Sequence, residues 1–235
     1  MFETTKGIVL RTYPFRENQY ISKIFTREFG LLSFIVKKTK NQVILSQPLN
    51  VVDITFQNSK NKTLFFAKEA YVCLPYENLL FNNKKLTICI VLCEVLSKCL
   101  QEKNIELFDF VTTSFDWLNK TEQKYNGFNS LFLIKLCQLH GIWPYINYKK
   151  NCDAGQLDII QGVFITDVVD AKTVIPQKES KEIYKLSILE FTQLNTYDLS
   201  EELNSSIFNF IITYISEHLT SLKSLKSIRV IKELN

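Results

Sequence analysis

Glycine and proline are scarce, 6 and 5 among 235 residues. A collagen-like repeat, a linker-rich chain or a long disordered tract would need more of them. No apolar run approaches the roughly 18 residues that span a bilayer. The richest, residues 86–100, is interrupted by Glu94 and Lys98. The opening residues, 1–6, lack the charged-then-apolar order of a secretory signal, so the expectation is a soluble, cytoplasmic protein with no membrane partner. The glycines stand at 7, 30, 127, 141, 155 and 162 and build neither a dinucleotide fingerprint nor a P-loop. Zinc-protease and nucleophile-elbow motifs are absent as well. The chain reads as a binding protein, not an enzyme.

Cysteines stand at 73, 89, 93, 99, 137 and 152, with no C-x-x-C pair. Without such pairs a disulfide framework or a four-ligand zinc site has no sequence basis. Cys89 and Cys93 share a helical face with Leu96 and Leu100, the position of small buried hydrophobes. His140 and His218 neighbour no cysteine pair and read as surface or structural residues. Asp109 and Asp116, seven apart, read as a solvated helix face.

Positive charge is unevenly spread. Residues 1–80 carry 11 Lys and Arg against 6 Asp and Glu, and the remainder 17 against 18. A basic first third beside a neutral remainder fits either a polyanion-binding module joined to something else or a basic surface without a partner. Lys outnumbers Arg 24 to 4, a bias that points to coding composition more than to function.

Residues 5–73 read as strands: 6–11, 20–26 and 31–36, then 53–56 and 63–67 flanking the polar turn 57–62 as a second hairpin. Gly30 supplies the positive φ of the tight turn between the second and third strands. Five short strands are best hidden in a closed or nearly closed small barrel. Helical periodicity then takes over at 84–101, 106–119, 127–139 (ended by Gly141), 178–191 and 201–219, the last with Ser200 as N-cap. Between them, residues 144–176 break the pattern with two short apolar runs, 157–160 and 162–165. The expected fold is α+β: an N-terminal β-barrel (1–79) followed by an all-helical C-terminal domain (80–235) with a short irregular insertion (144–176).

The barrel carries what nucleic acid needs. Arg11, Arg16, Lys23 and Arg27 are interleaved with Tyr13, Phe15, Tyr20 and Phe25, and Lys37, Lys38 and Lys40 follow the third strand beside Phe34. Cations release counterions from phosphates, and aromatic faces stack on any base. Phe25 and Phe34 are expected in the core, and Tyr13 and Phe15 either there or in the interface. The lysine cluster also fits a solvated edge that discourages strand pairing.

Several segments resemble the RecO family of DNA repair proteins. They are residues 5–11, Arg16-Glu17-Asn18, Ile24–Gly30 and Phe34–Lys38 at the start. Leu92–Leu96, Glu106–Phe110, Phe132–Leu136, His140–Pro144 and 218–227 follow in order. The resemblance covers most of the chain and implies an OB-fold followed by a helical domain. It also implies a recombination mediator and annealing protein of the RecF pathway. Such a protein binds single- and double-stranded DNA, engages the tail of the single-strand-binding protein, and works with RecR to load RecA. The DNA-binding candidates are Arg11, Arg16, Lys23, Arg27, Lys37, Lys38 and Lys40; Lys135 is the candidate for the acidic tail. Many family members carry paired cysteines and zinc after the Gly-x-x-Pro segment; this chain has only Cys152 there, so no metal or other cofactor is expected. The basic run also has Lys38 or Thr39 where the family has a glycine. The competing readings are an OB-fold RNA-binding or translation-associated protein, and a metal-dependent enzyme built on the cysteines.

Overall fold

The computed structural model describes residues 1–39, 42–58, 62–144, 155–166, 172–222 and 225. Lys40 and Cys152 lie outside the described residues. The chain divides into two compact units, Met1–Lys120 and Thr121–Asn235.

The first unit opens with β1 (Phe2–Arg16), β2 (Gln19–Thr26), β3 (Gly30–Lys37), β4 (Val51–Gln57), β5 (Leu64–Phe65) and β6 (Ala67–Leu74). They form one sheet in the order β5-β3-β2-β1-β4-β6. All neighbours are antiparallel except β3 and β5. Only Phe66 separates β5 from β6, so one stretch of chain pairs with β3 at one edge of the sheet and with β4 at the other. The sheet curls into an OB-like half-barrel. The turn before β3 needs its glycine: Gly30 has φ +72°, and a Cβ there would stand 2.6 Å from the Gln101 carbonyl oxygen.

Strand alternation decides what lies inside. Ile24 of β2, Phe34 and Val36 of β3 and Val52, Ile54 and Phe56 of β4 are fully buried in one cluster with Val9 and Phe65. Phe56 meets Phe29, Phe34 and Phe65 edge-on at 5.5, 5.4 and 5.3 Å between centroids, a geometry that adds about 0.5–1.5 kcal/mol per pair to simple burial. Phe34 is a core residue as expected. Phe25 is also buried, but on the opposite face of the sheet, 6.0 Å from Phe108 of a covering helix.

Three helices complete this unit: α1 (Glu77–Phe81), α2 (Asn83–Cys99) and α3 (Ile105–Lys120). The Asn82 side chain accepts from the Lys85 amide and Asn104 from the Leu107 amide, each satisfying an orphan donor at a helix start. Cys89, Cys93 and Cys99 are buried, and burial pushes the Cys99 thiol up to about 12. All three are packing residues that stay protonated.

The hairpin expected between 53–56 and 63–67 is different in detail. β4 pairs with Ala67–Leu74, while Leu64–Phe65 crosses to run parallel to β3. The parallel pairing covers what would otherwise be an open edge of β3.

The second unit contains α4 (Phe128–Leu139), the hairpin β7 (Gln156–Asp158) and β8 (Val163–Ile165), α5 (Gln177–Ser187) and α6 (Glu201–His218). The broken pattern of 144–176 is thus, where described, a small hairpin. α4 is buried on nearly every side, and α5 and α6 pack on it. Its polar positions are matched: Asn204 of α6 accepts from the Ser130 hydroxyl at 2.6 Å and donates to Asn129 at 3.0 Å. Ser200 caps α6 by accepting from the Leu203 amide. No helix among the described residues is long and apolar enough to cross a membrane.

Candidate nucleic-acid interface

β1 is fifteen residues long and its alternation is broken twice. Its partners on β2 run Val9↔Ile24, then Arg11↔Lys23, and later Pro14↔Tyr20, then Arg16↔Gln19. Leu10 and Phe15 are the extra residues. Val9 and Ile24 face the interior, so in an unbroken strand Arg11 and Tyr13 would face it too. The first bulge turns them outward, and the second does the same for Arg16. Bulges commonly re-aim side chains in this way.

The outward rows continue across β2 and β3. Arg11, Lys23 and Ser33 form one row, Tyr13, Ile21 and Ile35 the next, and Arg16, Gln19 and Lys37 the last. The face therefore has two cationic rows with an apolar and aromatic row between them. On an OB-type barrel the β2–β3 face is where oligonucleotides lie. Arg16, Lys37 and Lys38 are exposed; the others are half-buried. Two guanidiniums rest on aromatic rings, Arg11 over Tyr13 at 5.0 Å and Arg16 over Phe15 at 5.1 Å. Lys38 sits 5.0 Å over the Tyr20 ring and donates to the Glu17 carbonyl at 2.9 Å.

The seven candidates are not equivalent. Arg11 forms an ion pair at 2.7 Å with Glu94 of α2, whose side chain is 8% exposed. Lys23 has its pKa lowered, first by burial and then by the charges of Lys98 and Arg11. A phosphate arriving there relieves that repulsion. Arg27 stands apart from the three rows. Its Nε and Nη2 donate to the two carboxylate oxygens of Asp109 at 2.9 and 3.0 Å, which ties the turn after β2 to α3. That bond raises the Arg27 pKa and lowers that of Asp109. Asp109 is thus a structural anchor rather than a bare solvated acid; Asp116 pairs with Lys120 at 2.6 Å. Lys40 falls outside the described residues.

Sequence reading missed Gln19, Ile21, Ser33 and Ile35 as members of the face. Only the pairing register exposes them, and the register depends on two bulges that composition does not signal.

The model of the family described as Recombination protein O N terminal matches residues 1–76, and that of Recombination protein O C terminal matches residues 81–227. The chain belongs to the recombination protein O family. Curated RecO relatives cover nearly its full length. The DNA repair protein RecO of Flavobacterium psychrophilum is 29% identical over 238 residues, 98% of each chain. That of Azobacteroides pseudotrichonymphae is 28% identical over 239 residues, again 98% of each. That of Phocaeicola vulgatus is 26% identical over 242 residues, spanning 100% of this chain and 99% of the relative.

In the second unit of this RecO-family chain, Lys135 is the cation of α4. Its side chain is 20% exposed, and its Nζ donates to the Glu190 carboxylate at 3.0 Å. Glu190 is itself well exposed and begins the short 3-10 turn Phe191–Asn195. The β7–β8 hairpin is held without converging metal ligands. The Asp158 carboxylate accepts from the amides of Ile160 and Gln161 and from the Thr173 hydroxyl. His218 of α6 bonds to the Ile159 carbonyl at 2.6 Å. Among the described residues no three His, Cys, Asp or Glu stand together as a metal needs; Cys152 lies outside them.

Proposed function

We propose that this RecO-family chain is a DNA-binding recombination mediator and single-strand annealing protein of the RecF repair pathway. In this role it helps RecA load onto DNA coated by the single-strand-binding protein. The observation that carries the proposal is the β1–β3 face, where two bulges bring Arg11, Tyr13 and Arg16 level with Lys23 and Lys37. Such a face tracks a phosphate backbone with its outer rows and stacks bases on its middle row. It reads no base edges, as annealing of any complementary pair requires. Screening the charge on two strands lowers the barrier to their pairing without bond chemistry. Residues 1–79 are assigned the nucleic-acid contacts, and 80–235 the contacts with RecR and the single-strand-binding protein.

Lys135 is assigned the acidic tail of the single-strand-binding protein. Its side chain is largely covered and its ammonium meets the exposed Glu190, which a peptide carboxylate can replace. The test of the whole reading is annealing of complementary strands, naked and coated with the cognate single-strand-binding protein. Acceleration of both supports it. A chain that leaves both rates unchanged, or that prefers RNA to single-stranded DNA of the same sequence, contradicts it.

A further inference from the structure

We propose that the outer face of β1, β4 and β6 is a second binding site for single-stranded nucleic acid, centred on Phe2, Phe66 and Lys68. The inference rests on the annealing function proposed above and specifies where the other strand sits.

Phe2 and Phe66 are 55% and 54% exposed, far more than the other phenylalanines of the barrel strands apart from Phe15. The register explains the first. Val52, Ile54 and Phe56 of β4 face the interior, so Gln57 faces outward, and its cross-strand partner Phe2 does too. A bulge on β6 leaves Lys68 between the pairs Thr55↔Glu69 and Phe56↔Ala67. This turns its Nζ to within 4.9 Å of the Phe2 ring centroid. Phe2, Gln57, Lys62, Leu64, Phe66 and Lys68 line a cavity of about 200 Å³ together with Phe65 and Ala67. Among the described residues, no carboxylate lines it. The next outward row, Thr4, Thr55 and Glu69, holds the first acid, and Glu3 shares the row of interior Phe56.

Exposed aromatic rings beside unopposed ammonium groups repeat the chemistry of the first face. Rings offer stacking worth about 1–3 kcal/mol per base, and the lysines offer phosphate neutralisation. The charge selects a polyanion, and the rings select one with unstacked bases, hence a single strand rather than a duplex. The two faces are at opposite ends of β1, whose length at about 3.3 Å per residue separates them by up to ~46 Å. One short oligonucleotide does not fill both. Two strands can therefore occupy one chain.

The test uses the full chain and an oligothymidylate of about 5 nucleotides, within the span of one OB-type site and too short to reach from one face to the other. Native mass spectrometry counts strands per chain, and anisotropy gives the affinity of each step. Two variants are compared with the parent, F2A/F66A and K62E/K68E; all four residues are exposed, so folding should survive. The expected result is two strands on the parent and one on either variant. First-strand affinity should be unchanged, second-strand affinity at least about tenfold weaker, and annealing of naked strands slowed by a similar factor. One strand on the parent, or two on either variant with parental affinity, overturns the second site and leaves the proposed function standing. No strand on the parent at all overturns both.

Discussion

Arg11 and Glu94 form an ion pair at 2.7 Å, and on its own sheet Arg11 is paired with Lys23. One carboxylate thus balances one end of a cationic row. Removing it should strengthen the interface. Glu94→Gln is expected to tighten single-strand binding and to steepen log K against log salt by about 0.7, one added phosphate contact. Arg11→Ala acts oppositely and also removes the ion pair of a nearly buried carboxylate. Because Arg11 is itself a quarter exposed, the expected cost is about 1–2 kcal/mol in urea unfolding.

Arg16, Lys37 and Lys38 are exposed at the far row. Replacing all three with Ala should lower single-strand affinity equally for every sequence. The salt slope should flatten by about 2, near 0.7 for each contact. An unchanged slope would place the nucleic-acid path elsewhere on the chain.

Arg27 makes the contrasting prediction. Its guanidinium is held by Asp109, so Arg27→Ala should lower the melting temperature while leaving the salt slope as it was. The Asp109 carboxyl is held below the usual carboxylate range by that bond. Its stabilisation is therefore present above that range and is lost as pH falls through the depressed value. Asp109→Asn should abolish that acid-dependent part, seen as a smaller drop in melting temperature between pH 6 and about pH 3.

Glu190 competes for Lys135. If an acidic tail peptide takes its place, Glu190→Gln should bind the peptide more tightly and Lys135→Glu more weakly, with affinity for naked DNA equal in both. Equal peptide affinity in both variants removes Lys135 from the contact.

His140 follows α4, and its buried Nε2 finds no partner among the described residues. Burial lowers its pKa, so the folded chain takes up the proton less readily than the unfolded one. Stability should fall as pH drops below about 6.5, the unfolded imidazole value, and continue to fall until the lowered folded value is reached. His140→Gln, which cannot titrate, should remove that slope from pH-dependent chemical unfolding.

The sequence made some of this architecture plain and hid the rest for physical reasons. Strands with one buried face, such as Ile24 with Phe34 and Val36, alternate and are readable. So are helices with a capped start, such as the one after Ser200. β6 was not readable beyond Ala67. It is a peripheral strand whose Lys68, Glu69, Tyr71 and Val72 are all exposed, so no apolar alternation marks it. The cations themselves were visible in the sequence. What they touch was not, since Glu94 and Asp109 are more than 80 residues from Arg11 and Arg27 and nothing local announces the meeting.

The two extra residues of β1 let the strand carry more residues than its partner without losing phase. Deleting Leu10 would leave Val9 opposite Ile24 and Arg11 opposite Lys23, as they are now, with the kink gone and the outward face kept. Deleting Thr12 instead, with the bulge retained, would bring Tyr13 opposite Ser22 and turn it inward. The bulges are thus the places where this strand can absorb a lost residue. A one-codon deletion at Leu10 or Phe15 straightens the strand, whereas one between them inverts the surface.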